Sequence, residues 1–383
     1  MENVEIAAEA SQSPSAKIRP NRIEIVEVKG GADLREFIRL PKKIYDLKNG
    51  KYVMPLNVHM KMMMGKIGSG RKHFFLAKKD GKTVARMGAK VHKHGSKTNL
   101  HFGFFECLEG HPDAAKALVE HAHSLYPQYP MMGPFQFRME DPYVGTLVQG
   151  FEFDPYFLMS YNPPYYSEYL EKAGLKKAMD LFTYTVNDPK SLTSIVKESA
   201  RRARGMGVSV RTMNPKSLKS EARTVAGIFN DALSRNWGFE EFVEEQVKEM
   251  VQLFKLLIDH RVVAFAQKDG KDVGCLIMLP NYNPIIKDGH GRITPRLIWR
   301  YFNRKKLVNT TRGYALGVLK QYHGLGMGSV LVDHMFEAAP LAGYETAEIS
   351  WILANNGPMN ELSKAMGGMH NKVYRVFEKP SLR

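Results

Sequence analysis

Cysteine is scarce in this chain. Its 383 residues hold only Cys107 and Cys275, far apart and in no Cys-x-x-Cys pair, which excludes a disulfide framework and a thiolate zinc site and leaves both as small buried residues. Long apolar runs are missing as well: the greasiest stretches, such as 273–279, are strand-sized and fall short of the ~18 residues that a membrane span needs. Metal signatures are absent. No His-Glu-x-x-His occurs, and His92, His94 and His101 have no carboxylate at a ligand spacing, so no metal is expected. None of the 13 histidines has an aspartate five positions on, which removes the His-x4-Asp signature of glycerolipid acyltransferases. Acid is in deficit too, with 39 Asp and Glu against 55 Lys and Arg, a formal net charge of +16. Such an excess asks for an anionic partner: the phosphates of CoA, a nucleic acid or an anionic membrane surface. Residues 281–320 carry nine Lys and Arg against Asp288 alone, which is half of the whole excess.

What the chain does have is length and repetition. A single core stops growing at roughly 250–300 residues, so two domains are expected, over 21–185 and 186–383. Residues 1–20 are acidic and rich in Ser and Ala, without the basic start and apolar centre of a secretion signal, and read as a disordered leader on a cytoplasmic protein. The segments Ala77–Ala85 and Ala266–Gly274 agree at six of nine positions across a spacing of 189 residues. Each places Lys-Asp-Gly-Lys between apolar runs, the signature of a β-hairpin. In both copies a helical stretch comes before the hairpin, and a strand (101–106; 313–319), a helix (113–125; 329–339) and another strand follow. That order predicts an α/β fold, a mixed sheet with crossover helices, duplicated once.

The copies differ at one loop. After strand 314–319 the second copy has Gln321-Tyr-His-Gly324-Leu325-Gly326-Met327-Gly328-Ser329, opening directly into a helix. Glycines let a backbone approach an anion closely, and the unpaired N–H groups of a helix N-terminus point at it. No Gly-Lys-Ser/Thr follows, so this is no Walker loop, and too little chain remains for a Rossmann unit. In this context Gln-x-x-Gly-x-Gly resembles the acyl-CoA signature of the GNAT N-acetyltransferase superfamily. The cofactor-binding expectation covers Leu316, Gly317, Val318, Gln321 and Gly324 to Ser329, with the N–H groups near Gly317 and Val318 polarising a thioester carbonyl. The first copy runs instead into Leu108-Glu-Gly-His-Pro112, with no such loop, and is expected to pack against the second and shape an acceptor pocket.

Strand 346–352 puts Glu348, Ser350 and Ile352 on one face and Ile349 and Trp351 on the other. Acyl transfer to an amine needs a base and an acid; Glu348 is the candidate base and Tyr374 the candidate acid. Asn356 stands where Asn caps a helix or touches CoA.

Segments 133–145 and 147–151, Tyr161-Asn162-Pro163 with Tyr165-Tyr166, Asn230, Asn236–Phe239, Leu279–Asn283, Gly291-Arg292, the 321–328 loop, Glu348 with Trp351, and 372–376 together resemble the tandem GNAT proteins to which the bacterial ceramide synthases belong. The likeness covers roughly 130–380 of the chain. It implies two tandem GNAT domains, acyl-CoA as donor, and a long-chain amine such as a sphingoid base or its 3-keto precursor as acceptor. Tyr161, Asn162, Tyr165, Trp237, Asn283 and Trp351 are then expected at the substrate. Aminoacyl-tRNA-dependent transferases share the tandem plan but generally lack a good CoA loop, so nucleic acid is not the expected partner. A small non-lipid amine is the other acceptor.

An insertion, 282–311, contains Pro295–Leu307, where a helix would align Arg296, Arg300 and Arg304 in one stripe beside Trp299 and Phe302. Such a segment suits an anionic membrane surface through 292–306, or a solvated face. Met60, Met62, Met63 and Met64 suit either an acyl tunnel or core filling.

Overall fold

The computed structural model describes residues 22–67, 71–94, 97–137, 142–188 and 190–382. The expected leader, 1–20, and residues 138–141 of the family-like segment 133–145 lie outside the described residues. Among the described residues thirteen strands form one sheet: β1 (Ile23–Glu27), β2 (Lys72–Lys79), β3 (Lys82–His94), β4 (Lys97–Cys107), β5 (Met131–Gly133), β6 (Thr146–Gln149), β7 (Lys176–Val186), β8 (Ser209–Thr212), β9 (Val263–Lys268), β10 (Lys271–Pro280), β11 (Thr310–Val318), β12 (Thr346–Leu353) and β13 (Met369–Lys379). Their order is β1-β2-β3-β4-β5-β13-β7-β12-β11-β10-β9-β8, with β6 also paired to β13.

The expected duplication is present in detail. Both Lys-Asp-Gly-Lys turns close hairpins, β2–β3 and β9–β10, and both put Asp and Gly at positive φ, 49° and 73° at Asp80-Gly81, 52° and 73° at Asp269-Gly270. Two successive left-handed residues match the right-handed twist of the flanking strands, which is why Asp-Gly recurs there. Each half then adds an antiparallel strand, β4 or β11, with a bulge. A crossover helix (Pro112–Leu125; Met327–Leu341) leads to a strand parallel to it, β5 or β12. Helices cover both faces of each half. In the first, helix Pro112–Leu125 packs on one core and helices Gly31–Arg39 and Asn57–Met64 on another. In the second, Met327–Leu341 with Ser194–Gly205 and Leu218–Ala232 with Glu244–Leu257 do the same.

The halves are joined by exchange of strands. β7, from the first half of the chain, pairs with β12, while β13, the last strand of all, pairs with β5, β6 and β7. Each half is therefore completed by backbone from the other. The residue pair 185/186, where a domain boundary is expected, falls at the end of β7.

Both cysteines are buried, and burial pushes their thiols up. The methionine cluster divides: Met60 and Met64 are buried in the first half's core while Met62 is 73% exposed. That core lies in the opposite half from the glycine loop, so these side chains line no tunnel there. The arginine stripe is also corrected. The helix over Pro295–Phe302 ends at Asn303 and a short turn, Arg304–Leu307, follows. Arg296 and Arg300 share Asp288, whereas Arg304 donates to the Tyr301 carbonyl and stacks over its ring.

Candidate active site

The glycine loop is shaped by local restraints. Asp231 accepts from the Lys320 N–H at 2.6 Å and fixes where β11 ends. Gly324 and Gly326 both take φ of 79°, and a Cβ on Gly326 would lie 2.9 Å from the Ser199 carbonyl oxygen. Glycine is needed there on both counts. The helix Met327–Leu341 starts at Gly326 with no capping side chain and no acid in its first turn. Its first-turn N–H groups and positive dipole end are thus open to an anion, which is the fit that a pyrophosphate requires.

From this loop the sheet opens. β11 and β12 pair in parallel only from Thr310↔Thr346 to Gly313↔Ile349. Beyond that point each strand bulges: Tyr314 is the extra residue in β11, and Ser350-Trp351 interrupt β12's pairing with β7. Bulges bend the strands that carry them, so 314–318 and 350–353 diverge. Between them runs a cavity of about 220 Å³, walled by Leu276, Met278, Gly313 to Leu316, Val332, Met335, Phe336, Ala339, Trp351 and Met359, with Leu233 and Asn236 over it. The wall is chiefly apolar. Backbone groups that a continued ladder would consume are released at 314–316 and 350–351, where they can meet a carbonyl. The cavity follows Gly313–Leu316, and Gly317 and Val318, where donors are expected, do not line it. The Gly317 side of β11 is covered by Phe229, whose ring lies 2.6 Å from where a Cβ would be.

The opposite face of β12 carries buried charge. Glu348, Arg312, Lys372 and Tyr374 are each at most 1% exposed. Glu348 Oε2 accepts from Lys372 Nζ and, at 3.0 Å, from Asn371 Nδ2, while Oε1 has no hydrogen-bond partner among the described residues. Burial holds the Glu348 carboxyl above its ordinary range, against the lowering effect of Lys372. Arg312 donates to Ser350 Oγ at 2.9 Å and to the Phe157 carbonyl, and its guanidinium lies 4.3 Å from the Trp351 ring centroid. The Tyr374 hydroxyl is buried without a partner among the described residues, packs edge-on to Trp351, and is raised well above its ordinary pKa by burial and then by the Glu348 charge. Ser350 and Trp351 therefore connect the charged cluster to the cavity wall.

Other expected residues fall in different places. Asn356 caps helix Gly357–Ala365 through the Met359 N–H and also borders the cavity. Gln321 and Leu325 are exposed on the loop. Trp237 packs in the same cluster as Trp351 and Tyr374. Tyr161, Asn162 and Asn283 line a separate cavity of about 80 Å³ in the first half. Asn162 is spent on the Leu147 N–H and C=O and Asn283 on the Pro155 carbonyl, while the Tyr165 hydroxyl donates to the Cys107 carbonyl. All three side chains thus hydrogen-bond to backbone. Arg312, Lys372 and Asn371 were not expected at the site. A lone arginine within an apolar strand, and a lysine two residues before Tyr374 and so on its face, were the signals available.

A hairpin, a third strand, a crossover helix and a parallel strand, built twice around one sheet, with open strands beside a glycine-started helix in the second copy, define a tandem GNAT fold. The structure superposes with a TM-score of 0.59 on the glucosamine N-acetyltransferase region of a fungal multidomain β-N-acetylglucosaminidase, at 12% identity, covering 94% of this chain and 38% of that one. A tandem GNAT protein from the clavulanic acid biosynthesis pathway gives a TM-score of 0.53 at 12% identity, covering 94% and 99%. No family model matches the chain. In sequence it is 30% identical over 378 residues to the Bacterial ceramide synthase of Caulobacter vibrioides, covering 93% of this chain and 97% of that protein. It is 27% identical over 367 residues to Protein YghO of Escherichia coli K12, covering 91% and 93%. The chain belongs to the family of the bacterial ceramide synthase and is an acyltransferase.

Proposed function

We propose that this acyltransferase takes its acyl group from an acyl-CoA and transfers it to the amino group of a long-chain amine, a sphingoid base or its 3-keto precursor, in a ceramide-forming reaction. The observation that carries this reading is the apolar cavity between β11 and β12, which passes the released backbone donors and is walled by the middle of the helix whose N-terminus is open to an anion. The loop 324–329 receives the pyrophosphate. The thioester lies at the divergence of the strands, and Val332, Met335, Phe336 and Ala339 take the chain. The amine nitrogen attacks the thioester carbon, the C–N bond forms, the C–S bond breaks, and the ammonium proton is relayed through water to Glu348. Tyr374, kept protonated by its burial, supplies the proton to the departing thiolate. Support for a lipid acceptor is the name of the Caulobacter relative.

The amphiphilic acceptor is collected from an anionic membrane surface by the insertion. No residue of helix Pro295–Phe302 is buried, Trp299 is 63% and Phe302 75% exposed, and Arg296 lies beside them. Apolar side chains among arginines are the composition of an interfacial helix. No helix among the described residues is long and apolar enough to cross a membrane.

The test is product analysis. Purified protein is mixed with acyl-CoAs from acetyl to long-chain and with sphingoid or ketosphingoid bases, and N-acylated product and free CoA are read by mass spectrometry. Product with long chains and lipid amines is expected; product only with small amines would overturn the lipid acceptor, and no acyl-CoA binding would overturn the donor. Trp299→Ala with Phe302→Ala should abolish sedimentation with phosphatidylglycerol vesicles, and unchanged sedimentation would remove the membrane role.

A further inference from the structure

A second group of ligating side chains sits where the two halves meet, away from the charged cluster of β12. We propose that His92, His101 and Glu240 bind a divalent transition cation, with Zn2+ as the first candidate, and that this cation ties the loop 233–243 of the second half to the sheet of the first.

His92 on β3 and His101 on β4 lie diagonally across an antiparallel pair in which His92 faces Asn99 and Lys90 faces His101. Period-two alternation places both on one face, and their rings stack with centroids 4.7 Å apart. Glu240 reaches them from the loop after helix Leu218–Ala232, and the donor atoms of all three lie within 4.8 Å of one another. The group is sheltered, with His101 buried and the His92 and Glu240 side chains 13% and 15% exposed. Two features mark it as a metal site in place of a plain ion pair. His101 Nδ1 is 2.7 Å from the Phe137 carbonyl, so the ring's proton sits on Nδ1 and the Nε2 lone pair is left to bind, the outer-shell arrangement of ligating histidines. His92 Nε2 lies 2.6 Å from Glu240 Oε1, so an imidazole nitrogen and a carboxylate oxygen already converge beside His101. Two imidazoles and a carboxylate make a three-ligand zinc set whose fourth position goes to water. Zn–ligand bonds of about 2.1 Å place ligand atoms about 3.4 Å apart, so His92 and Glu240, now 2.6 Å apart, separate by about an ångström while the more distant ligand atoms, within 4.8 Å, close by a similar shift.

The consequence is mechanical. The Phe242 N–H and C=O are both held by Asn230, and Asn236 borders the acyl cavity while Trp237 packs near Trp351. Trp237 packs on apolar residues of the first half and Glu240 adds a polar attachment to it, so a cation there fixes the cavity's cover.

The experiment uses full-length protein without an affinity tag, stripped with a chelator and titrated with Zn2+ by calorimetry. One equivalent per chain is expected, weakened by at least about 100-fold in His92→Ala and in Glu240→Gln, and unchanged in His260→Ala, an exposed histidine elsewhere. Proteolysis within 233–243 should slow on adding Zn2+ in the native chain and not in Glu240→Gln. Absence of stoichiometric Zn2+ binding, or binding that survives both substitutions in folded protein, would overturn the site.

Discussion

The two halves start from the same plan and treat the same helix end in opposite ways. In the second half the crossover helix begins at Gly326 with no capping side chain and no acid in its first turn. In the first, Tyr166 accepts from the Cys107 N–H and Tyr169 from the Gly110 N–H, and Asp113 stands in the first turn of helix Pro112–Leu125. Hydroxyls there engage N–H groups of the strand end and turn that lead into the helix, and a carboxylate stands in its first turn, where the second half has none. The openings between strands differ likewise. The first half pairs β4 with β5 only over Leu100↔Met131 and His101↔Met132 and has its own bulge, with Phe104 at φ 53°. Its cavity is about 80 Å³ against about 220 Å³, and it contains Glu106 paired with Arg86 and hydrogen-bonded by Tyr45 and Tyr166. Burial raises the Glu106 carboxyl as it does that of Glu348. Yet Glu106 has both oxygens engaged, while Glu348 Oε1 has no partner among the described residues. Duplication thus preserved the frame, and the retained site differs in which polar atoms are left unspent.

That contrast is broken most severely at the carboxylate. Glu348→Gln should lower kcat by about 100-fold or more, the usual contribution of a general base, with the acyl-CoA Kd unchanged. Because burial raises the Glu348 carboxyl and only the ionised form accepts a proton, activity should climb with pH through an ionisation above the ordinary glutamate value of 4.5, and that limb should vanish in the glutamine variant. Equal turnover in both proteins would end the role of Glu348. The next effect is at the helix end. Gly328→Asp gives the second half the first-turn acid that the first already has, and a Cβ there meets nothing closer than 3.9 Å, so the fold tolerates it. A carboxylate that favours the helix dipole opposes a bound pyrophosphate, and acyl-CoA affinity should fall by about 30-fold, roughly 2 kcal/mol. An unaltered Kd in calorimetry would move the pyrophosphate elsewhere.

Legibility followed the range of the interaction. The Asp-Gly hairpins and the glycine loop were readable because turn chemistry and positive φ are set within a few residues. The exchange of β7 and β13 was not, since strand order depends on partners far away in sequence. The same holds for Lys372 and Arg312 around Glu348, and for Glu240, which joins His92 and His101 from the other half of the chain. The bulge at Tyr314 was not legible either, because it opens β11 ahead of Gly317 and Val318 without a turn residue to mark it. The stripe of three arginines failed at Asn303, where the helix stops.

Smaller effects sharpen the comparison of the openings. Val332 is buried and lines the larger cavity; Val332→Phe should cut kcat/KM for the longest accepted acyl-CoA by about tenfold, given about 1–3 kcal/mol for a few methylenes of pocket, while acetyl-CoA is spared. Equal losses for both chain lengths would mean that the chain does not enter there. The smallest effect belongs to the first half. Tyr169→Phe removes the hydroxyl that accepts from Gly110 and should cost about 1 kcal/mol of stability in denaturant titration, leaving acyl-CoA affinity and turnover as they were. A hydroxyl that only satisfies the Gly110 N–H ahead of the helix should influence the fold and nothing else, because freeing one N–H neither removes Asp113 nor widens an 80 Å³ opening. A gain of acyl-CoA binding in the first half on this single change would show that the tyrosine alone keeps the two halves apart in function.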